Sequence, residues 1–275
     1  MPFLVLPFPN IDPVAFSIGP ISVKWYGLAY AAGLLLGWIY VKQLLRTSRF
    51  WPAGQAPFAE LKSDDLLLYM TLGVVVGGRL GEVLFYQPAY FAAHPMEIFA
   101  TWRGGMSFHG GFLGAIAAIV FFSNRNKVDV RTTLDLAAAA VPIGLFFGRI
   151  TNFINAELWG KASNAPWAMV FPGAGPAPRH PSQLYEAGLE GAALFVICAW
   201  LIYKRDALKR PGIVAGTFTA GYGIARTFCE IFREADTSPW AIFPFLSPGM
   251  LYSLPMIAAG VYLILQSLKQ PITKS

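Results

Sequence analysis

Seven runs of mostly apolar residues dominate the chain, each near the roughly 20 residues a helix needs to cross a bilayer. They lie at Trp25–Leu45, Leu66–Tyr86, Ser107–Phe122, Thr132–Thr151, Gln183–Tyr203, Ile213–Phe232 and Gly249–Leu268. This pattern predicts an all-α, polytopic membrane protein with seven transmembrane helices, forming a single integral membrane domain over residues 1–275. The third run is short. Its Gly110, Gly111 and Gly114 predict close helix packing, because small residues let two backbones approach. Two of the intervening segments, 87–106 and 152–182, are long and rich in Pro, Gly and aromatics. The second, with two Trp and a Phe among its glycines and prolines, reads as a head-like insertion of irregular structure and not as a linker.

Composition narrows this picture. The 275 residues are 55% hydrophobic and only 13% charged, where soluble domains carry about 25% charged residues. The N-terminal MPFLVLPFPNIDPVAF is apolar, but it holds four prolines and no basic residue before Lys24. It is therefore expected to remain on the protein and lie at the membrane interface, not to act as a signal peptide. The formal net charge of +6 does not indicate nucleic acid, because the basic residues fall mainly in short loops. Thirteen lie on one side of the spans: Lys42, Arg46, Arg49 and Lys62, then Arg125, Lys127 and Arg131, then Lys204, Arg205, Lys209 and Arg210, then Lys269 and Lys274. The opposite side has five: Lys24, Arg103, Lys161, Arg179 and Arg233. The positive-inside rule then places the C-terminus in the cytoplasm and the N-terminus outside, in the periplasm of a Gram-negative cell. The arm and head loops are expected on that outer side. Cys198 and Cys229 sit in apolar runs without a CxxC or a paired His, and read as buried small hydrophobes.

Three arginines interrupt the apolar runs: Arg79, Arg149 and Arg226. A guanidinium in hydrocarbon costs at least a few kcal/mol and cannot shed its proton, so each needs a partner. Its fork matches carboxylate or phosphate oxygens, and the abundant phosphate in a membrane belongs to lipid. All three fall in the outer halves of outward-running spans, a shared depth that predicts one site facing the outer leaflet. Each also has a structural alternative. Arg226 and Glu230 are four residues apart on one helix face, and Arg79 and Glu82 three apart, so either carboxylate would neutralise its neighbour. For Arg79 the structural reading is preferred. Arg149 either binds phosphate, with Asn152 orienting it and Glu157 just outside, or pairs with a carboxylate to hold helices together. His109, framed by glycines in GGMSFHGG, is a candidate base, because an imidazole titrates near neutral pH. RHPSQLYE offers His180 and Glu186, or else a cap and an interfacial anchor. GYGIARTFCEIFRE adds Tyr222 and Arg233. Tyr26 lies in KWYGLAY at the start of the first span, where an aromatic belt is the alternative. No cluster has metal-ligand spacing.

Taken together, IDPVAFSIGPISVKWYGLAY, GGRLGEVLFY, WRGGMSFHGG, GRITNFINAELWGK, RHPSQLYEAGLEG and GYGIARTFCEIFRE resemble the prolipoprotein diacylglyceryl transferase family, in its order and over residues 11–234. Ala156 and Lys161 stand where the family signature usually has Gly and Arg, and Glu82 where a Tyr is common. The resemblance implies transfer of a diacylglyceryl group from phosphatidylglycerol to the lipobox cysteine of a prolipoprotein signal peptide, the first step of lipoprotein maturation, in the bacterial inner membrane and without a cofactor. It implies that Arg149 and Arg226 hold the phosphate and that His109 is the base, with Tyr26 and Glu230 assisting. Asn152, Glu157, Glu186, His180, Tyr222 and Arg233 would line the substrate site. The rival reading is a transporter of lipid headgroups or small anionic solutes. It predicts a polar path through the inner half of the spans, where span four reads LDLAAAAVPIG.

Overall fold

The computed structural model describes residues 6–234 and 247–269. Met1–Val5 and Lys274, used in the interface and topology arguments, lie outside the described residues. The chain divides into two compact units, Met1–Val41 with Asp135–Ser275, and Lys42–Leu134.

Each of the seven apolar runs is helical, with ends within four residues of those expected: α1 Trp25–Arg46, α2 Lys62–Tyr86, α4 Phe108–Asn126, α5 Val130–Ile154, α6 Ser182–Arg205, α7 Ile213–Glu230 and α8 Pro248–Leu268. A short helix, α3 (Pro88–Ala93), lies between α2 and α4. Five of them, α1, α2, α5, α6 and α8, are long and apolar enough to cross a membrane. Two helices change pitch. The last turn of α2 (Glu82–Tyr86) and a turn of α6 (Ala187–Ala193) are π-helical, a local widening frequent at functional sites.

The helical expectation missed two small sheets. β2 (Val14–Ile18) and β3 (Ile21–Lys24) pair as an antiparallel hairpin, turned at Gly19-Pro20, where Gly19 takes a positive φ of 59°. The glycine-proline punctuation was the available signal. β1 (Leu6–Pro7) runs parallel to β4 (Met169–Val170) and ties the N-terminal segment to the 152–182 insertion.

In the first unit the helices meet through small residues. A Cβ on Gly33 of α1 would lie 2.9 Å from the Gly144 Cα of α5, and one on Gly191 of α6 would lie 2.7 Å from Phe146. Asp135, fully buried in α5, accepts from the Gly212 and Ala215 amides at 2.7 Å each. It thereby neutralises the N-terminal donors of α7.

In the second unit α2 and α4 pack along Gly73, Gly77 and Gly81 on one helix and Gly110 and Gly114 on the other. A Cβ on Gly77 would come 2.9 Å from the Gly114 Cα, and one on Gly81 equally near the Gly110 Cα. Ser107 caps α4 by accepting from the Gly110 amide at 3.1 Å, and its own amide donates to the Gly78 carbonyl at 2.9 Å. Arg79 has a structural role, as expected, but not through Glu82. Its guanidinium donates to the carbonyls of Ile98 (2.7 Å), Gly104 (2.8 Å), Gly105 (3.0 Å) and Glu97 (2.5 Å), and lies 4.9 Å from the Phe91 ring centre. Glu82 accepts from the Gln87 amide instead, at 2.8 Å. Among the carbonyls bonded to Arg79, that of Glu97 also accepts from the Ala100 amide at 3.0 Å, so the five-donor cation adds to the 3-10 turn there while it also holds the Ile98, Gly104 and Gly105 carbonyls.

Arg79→Ala strands those buried carbonyls. Limited proteolysis should then cut between Gln87 and Met106 at least roughly tenfold faster than in the native protein, since losing about 1–3 kcal/mol of local stability raises the open population by that order.

Candidate functional site

The first unit gathers the charged residues of α5, α6 and the end of α7 into one cluster. Arg149, in the last turns of α5, donates through Nε and Nη2 to Glu190 Oε2 at 3.2 and 3.0 Å, and its Nη1 lies 2.9 Å from Glu186 Oε2. Arg226 donates to Glu186 Oε1 at 3.1 Å and to Glu230 Oε1, the i, i+4 partner expected on its own helix. Arg233, just beyond α7, donates to the same Glu186 Oε1 at 3.1 Å. Among the described residues three guanidinium groups thus face three carboxylates, and their formal charges cancel. Carboxylate pairing of Arg149 was one of its two expected uses, and this pairing is present.

The cluster has an inside and an outside. The side chains of Glu186 and Glu190 have no exposure, whereas those of Arg149 and Arg226 each keep 16%. An incoming anion would therefore meet arginine first. Glu186 immediately precedes the π-helical turn of α6 and Glu190 lies within it. Tyr222 of α7 is half-buried and lies within electrostatic reach of Arg149, Arg226, Glu186 and Glu190.

The other expected site residues divide. Asn152 uses its side-chain amide within the protein. It donates to Glu157 Oε1 at 2.7 Å, while the Glu157 carbonyl accepts from Gln183 at 2.6 Å. The pair ties the end of α5 to the start of α6, because both groups are polar, largely buried and adjacent after the chain turns at 155–158. The Tyr26 ring lies tilted against that of Tyr30, with ring centres 5.0 Å apart, and its hydroxyl accepts a long 3.5 Å bond from the Tyr30 hydroxyl. The Tyr30 hydroxyl feels the charges of Arg149 and Glu157. His180 does not join the arginines. Its Nδ1 is 2.9 Å from the Tyr185 hydroxyl, which accepts from Trp167 Nε1 at 2.6 Å, and its ring lies 5.1 Å from that of Phe232. Partial burial among these aromatics lowers its pKa below the usual histidine value, so it is chiefly neutral at pH 7. His109 belongs to the second unit, exposed in the first turn of α4 beside Phe108.

Two neighbours of the cluster escaped the sequence reading. Glu190 lies one turn past Glu186 in an apolar helix, and a second carboxylate there is costly enough to have been a signal. Tyr30 is one turn from Tyr26 and follows the same helix-face logic.

The insertion is stitched to the cluster by backbone. Gly160 pairs with Arg233 as an isolated bridge, the Lys161 amide donates to the Phe232 carbonyl at 2.8 Å, and the His180 amide donates to the Lys161 carbonyl at 3.0 Å. Ala156 and Leu158 adopt φ of 52° and 57°. The first is the position where the resembled signature has glycine, and the positive φ is the physical reason glycine suits it.

A sequence model described as prolipoprotein diacylglyceryl transferase matches residues 13–266. The chain is 52% identical over 261 residues to the phosphatidylglycerol–prolipoprotein diacylglyceryl transferase of Rhizobium meliloti (strain 1021), covering 94% of this chain and 93% of that one. It is 51% identical over 267 residues to the protein of that name from Rhodopseudomonas palustris, covering 96% and 93%. It is also 51% identical over 264 residues to that of Nitrobacter winogradskyi, covering 95% and 90%.

Ala156→Gly removes a Cβ from a left-handed residue and should stabilise the fold by about 1 kcal/mol, partly offset by the freer unfolded chain. Thermal unfolding in detergent measures this as a rise in Tm.

Proposed function

The chain belongs to the prolipoprotein diacylglyceryl transferase family, and from that premise we propose that it transfers the diacylglyceryl group of phosphatidylglycerol to the lipobox cysteine of a prolipoprotein. The observation that carries the site assignment is the cluster in which two partly open arginines stand in front of two sealed glutamates. Membership in a transferase family sets aside the transporter reading.

The chemistry asks little else of the protein. The lipobox thiol gives its proton to a base. The thiolate sulfur forms a bond to the glyceryl carbon bearing the phosphate ester. The C–O bond to that ester breaks, its electron pair stays on the phosphate oxygen, and glycerol phosphate leaves. Negative charge grows on the phosphate as this bond breaks, so arginines aimed there favour the transition state over the ground state. Arg149 and Arg226 take that role in this reading, with Arg233 and Glu230 completing the ring of charge. Tyr222 and Tyr26 flank the headgroup, and Asn152 with Glu157 shapes its boundary. His109 is assigned the base role because an imidazole nitrogen can accept the thiol proton. The enzyme needs no cysteine of its own, because the nucleophile comes with the substrate, and no cofactor enters the reaction.

All seven long helices span the inner membrane of a bacterium in this reading. The N-terminus is periplasmic, the C-terminus cytoplasmic, the site lies toward the outer leaflet, and the 87–106 and 152–182 segments form the periplasmic arm and head. Support comes from the distribution of basic residues, thirteen against five. Phosphatidylglycerol reaches the site from the bilayer and the signal peptide from the outer face.

Purified protein, phosphatidylglycerol and a synthetic lipobox peptide in detergent should yield a peptide whose cysteine gains the mass of a diacylglyceryl group. Arg149→Ala should lower the rate by on the order of 10²–10³ while the protein still inserts in the membrane. Full activity in that variant removes Arg149 from the phosphate site. His109→Gln should remove the activity that depends on a titrating base. Slow turnover independent of pH in that variant would assign His109 to positioning instead.

A further inference from the structure

Glu190 has no place in the transfer chemistry, yet its side chain is completely buried and it accepts two of the hydrogen bonds of Arg149. Its other oxygen, Oε1, lies 3.9 Å from Arg226 and has no hydrogen-bond partner among the described residues. The groups facing it are Arg149 of α5, Arg226 and Tyr222 of α7, and Glu186 of its own helix. A carboxylate sealed among these groups has two physical effects. It fixes the rotamer of Arg149, and it cancels one positive charge behind the arginines.

The second effect bears on the product. The phosphodiester of the lipid carries one negative charge. The phosphomonoester that leaves carries nearly two at neutral pH, because its second pKa is about 6. A site of uncompensated arginines would therefore hold the product more tightly than the substrate. A formally neutral cluster keeps the fork geometry that recognises phosphate while removing the net field that favours the more highly charged ligand.

We propose that Glu190 is a positioning and charge-balancing residue, which orients Arg149 and keeps the site from trapping glycerol phosphate. This rests on the transfer reading given above. It predicts a particular kinetic signature. Glu190→Gln keeps the shape and one acceptor oxygen but leaves the cluster with one extra positive charge. The inhibition constant of free glycerol phosphate should fall roughly tenfold, the order of one added charge interaction at intermediate dielectric. KM for phosphatidylglycerol should fall by less, and kcat should drop because release slows. Glu190→Asp restores the charge but withdraws the carboxylate from Arg149. Product inhibition should stay within about twofold of the native value while kcat drops.

The experiment is steady-state kinetics of the full-length protein in detergent with phosphatidylglycerol and the lipobox peptide, with glycerol phosphate as added inhibitor. A simple clamp between helices would lower the amount of folded enzyme and leave the inhibition constant of the remainder unchanged, and that result overturns the proposal. So does tenfold stronger product inhibition in Glu190→Asp, the variant that keeps the test available if Glu190→Gln does not fold. Native protein that forms no adduct at all refutes the transfer reading. Native protein that turns over, with unchanged product inhibition in Glu190→Gln, refutes this inference alone.

Discussion

Burying a guanidinium among apolar helices without a partner is prohibitively costly, and the first unit is organised around that constraint. Arg149, Arg226 and Arg233 come from α5, α7 and the turn after it, and Glu186 accepts from all three directions. The arrangement requires three chain segments to converge within hydrogen-bond distance of one carboxylate. Small residues at the helix crossings allow that approach, as at Gly33 against Gly144 and Gly191 against Phe146. The widened turn of α6 holds Glu186 and Glu190 at the same cluster. The carboxylates of Glu186 and Glu190 are sealed, while the guanidinium groups of Arg149 and Arg226 stay partly open.

Arg79 meets the same constraint with different chemistry. Its donors go to backbone carbonyls of the 95–105 loop, those of Ile98, Gly104 and Gly105 among them. The guanidinium is then consumed by structure, and it shapes the segment that leads to Ser107 and the start of α4. The contrast separates the arginines by partner. One surrounded by carbonyls holds a loop, whereas those held by carboxylates join three helices in one ion-pair cluster.

The irregular insertion after α5 serves the cluster through backbone contacts. Gly160 pairing with Arg233 sets where that arginine begins, and the Asn152–Glu157 and Gln183–Glu157 bonds hold the end of α5 to the start of α6. The positive φ at Ala156 and Leu158 marks the tight return of the chain that makes these bonds possible. The NFINAELWG string of the resemblance is therefore a stretch in which polar side chains help to position backbone. The family membership identifies the reaction class, and the geometry supplies the reason such a string is needed.

By itself the sequence determined the helices, because an apolar run of about 20 residues has no other way to satisfy its backbone in lipid. It also determined the partners that lie along one helix, as with Arg226 and Glu230, since a four-residue spacing places side chains on one face. Tertiary structure decided the rest. One carboxylate partner of Arg149 is Glu190, 41 positions away and read only as part of a motif. Arg79 passed over the nearby Glu82 for carbonyls 18 to 26 residues distant. His180 went to Tyr185 and Phe232 and not to the arginines. Local spacing carries the periodicity of a helix, but the choice among long-range partners is made by which groups are left buried and unsatisfied once the helices have packed.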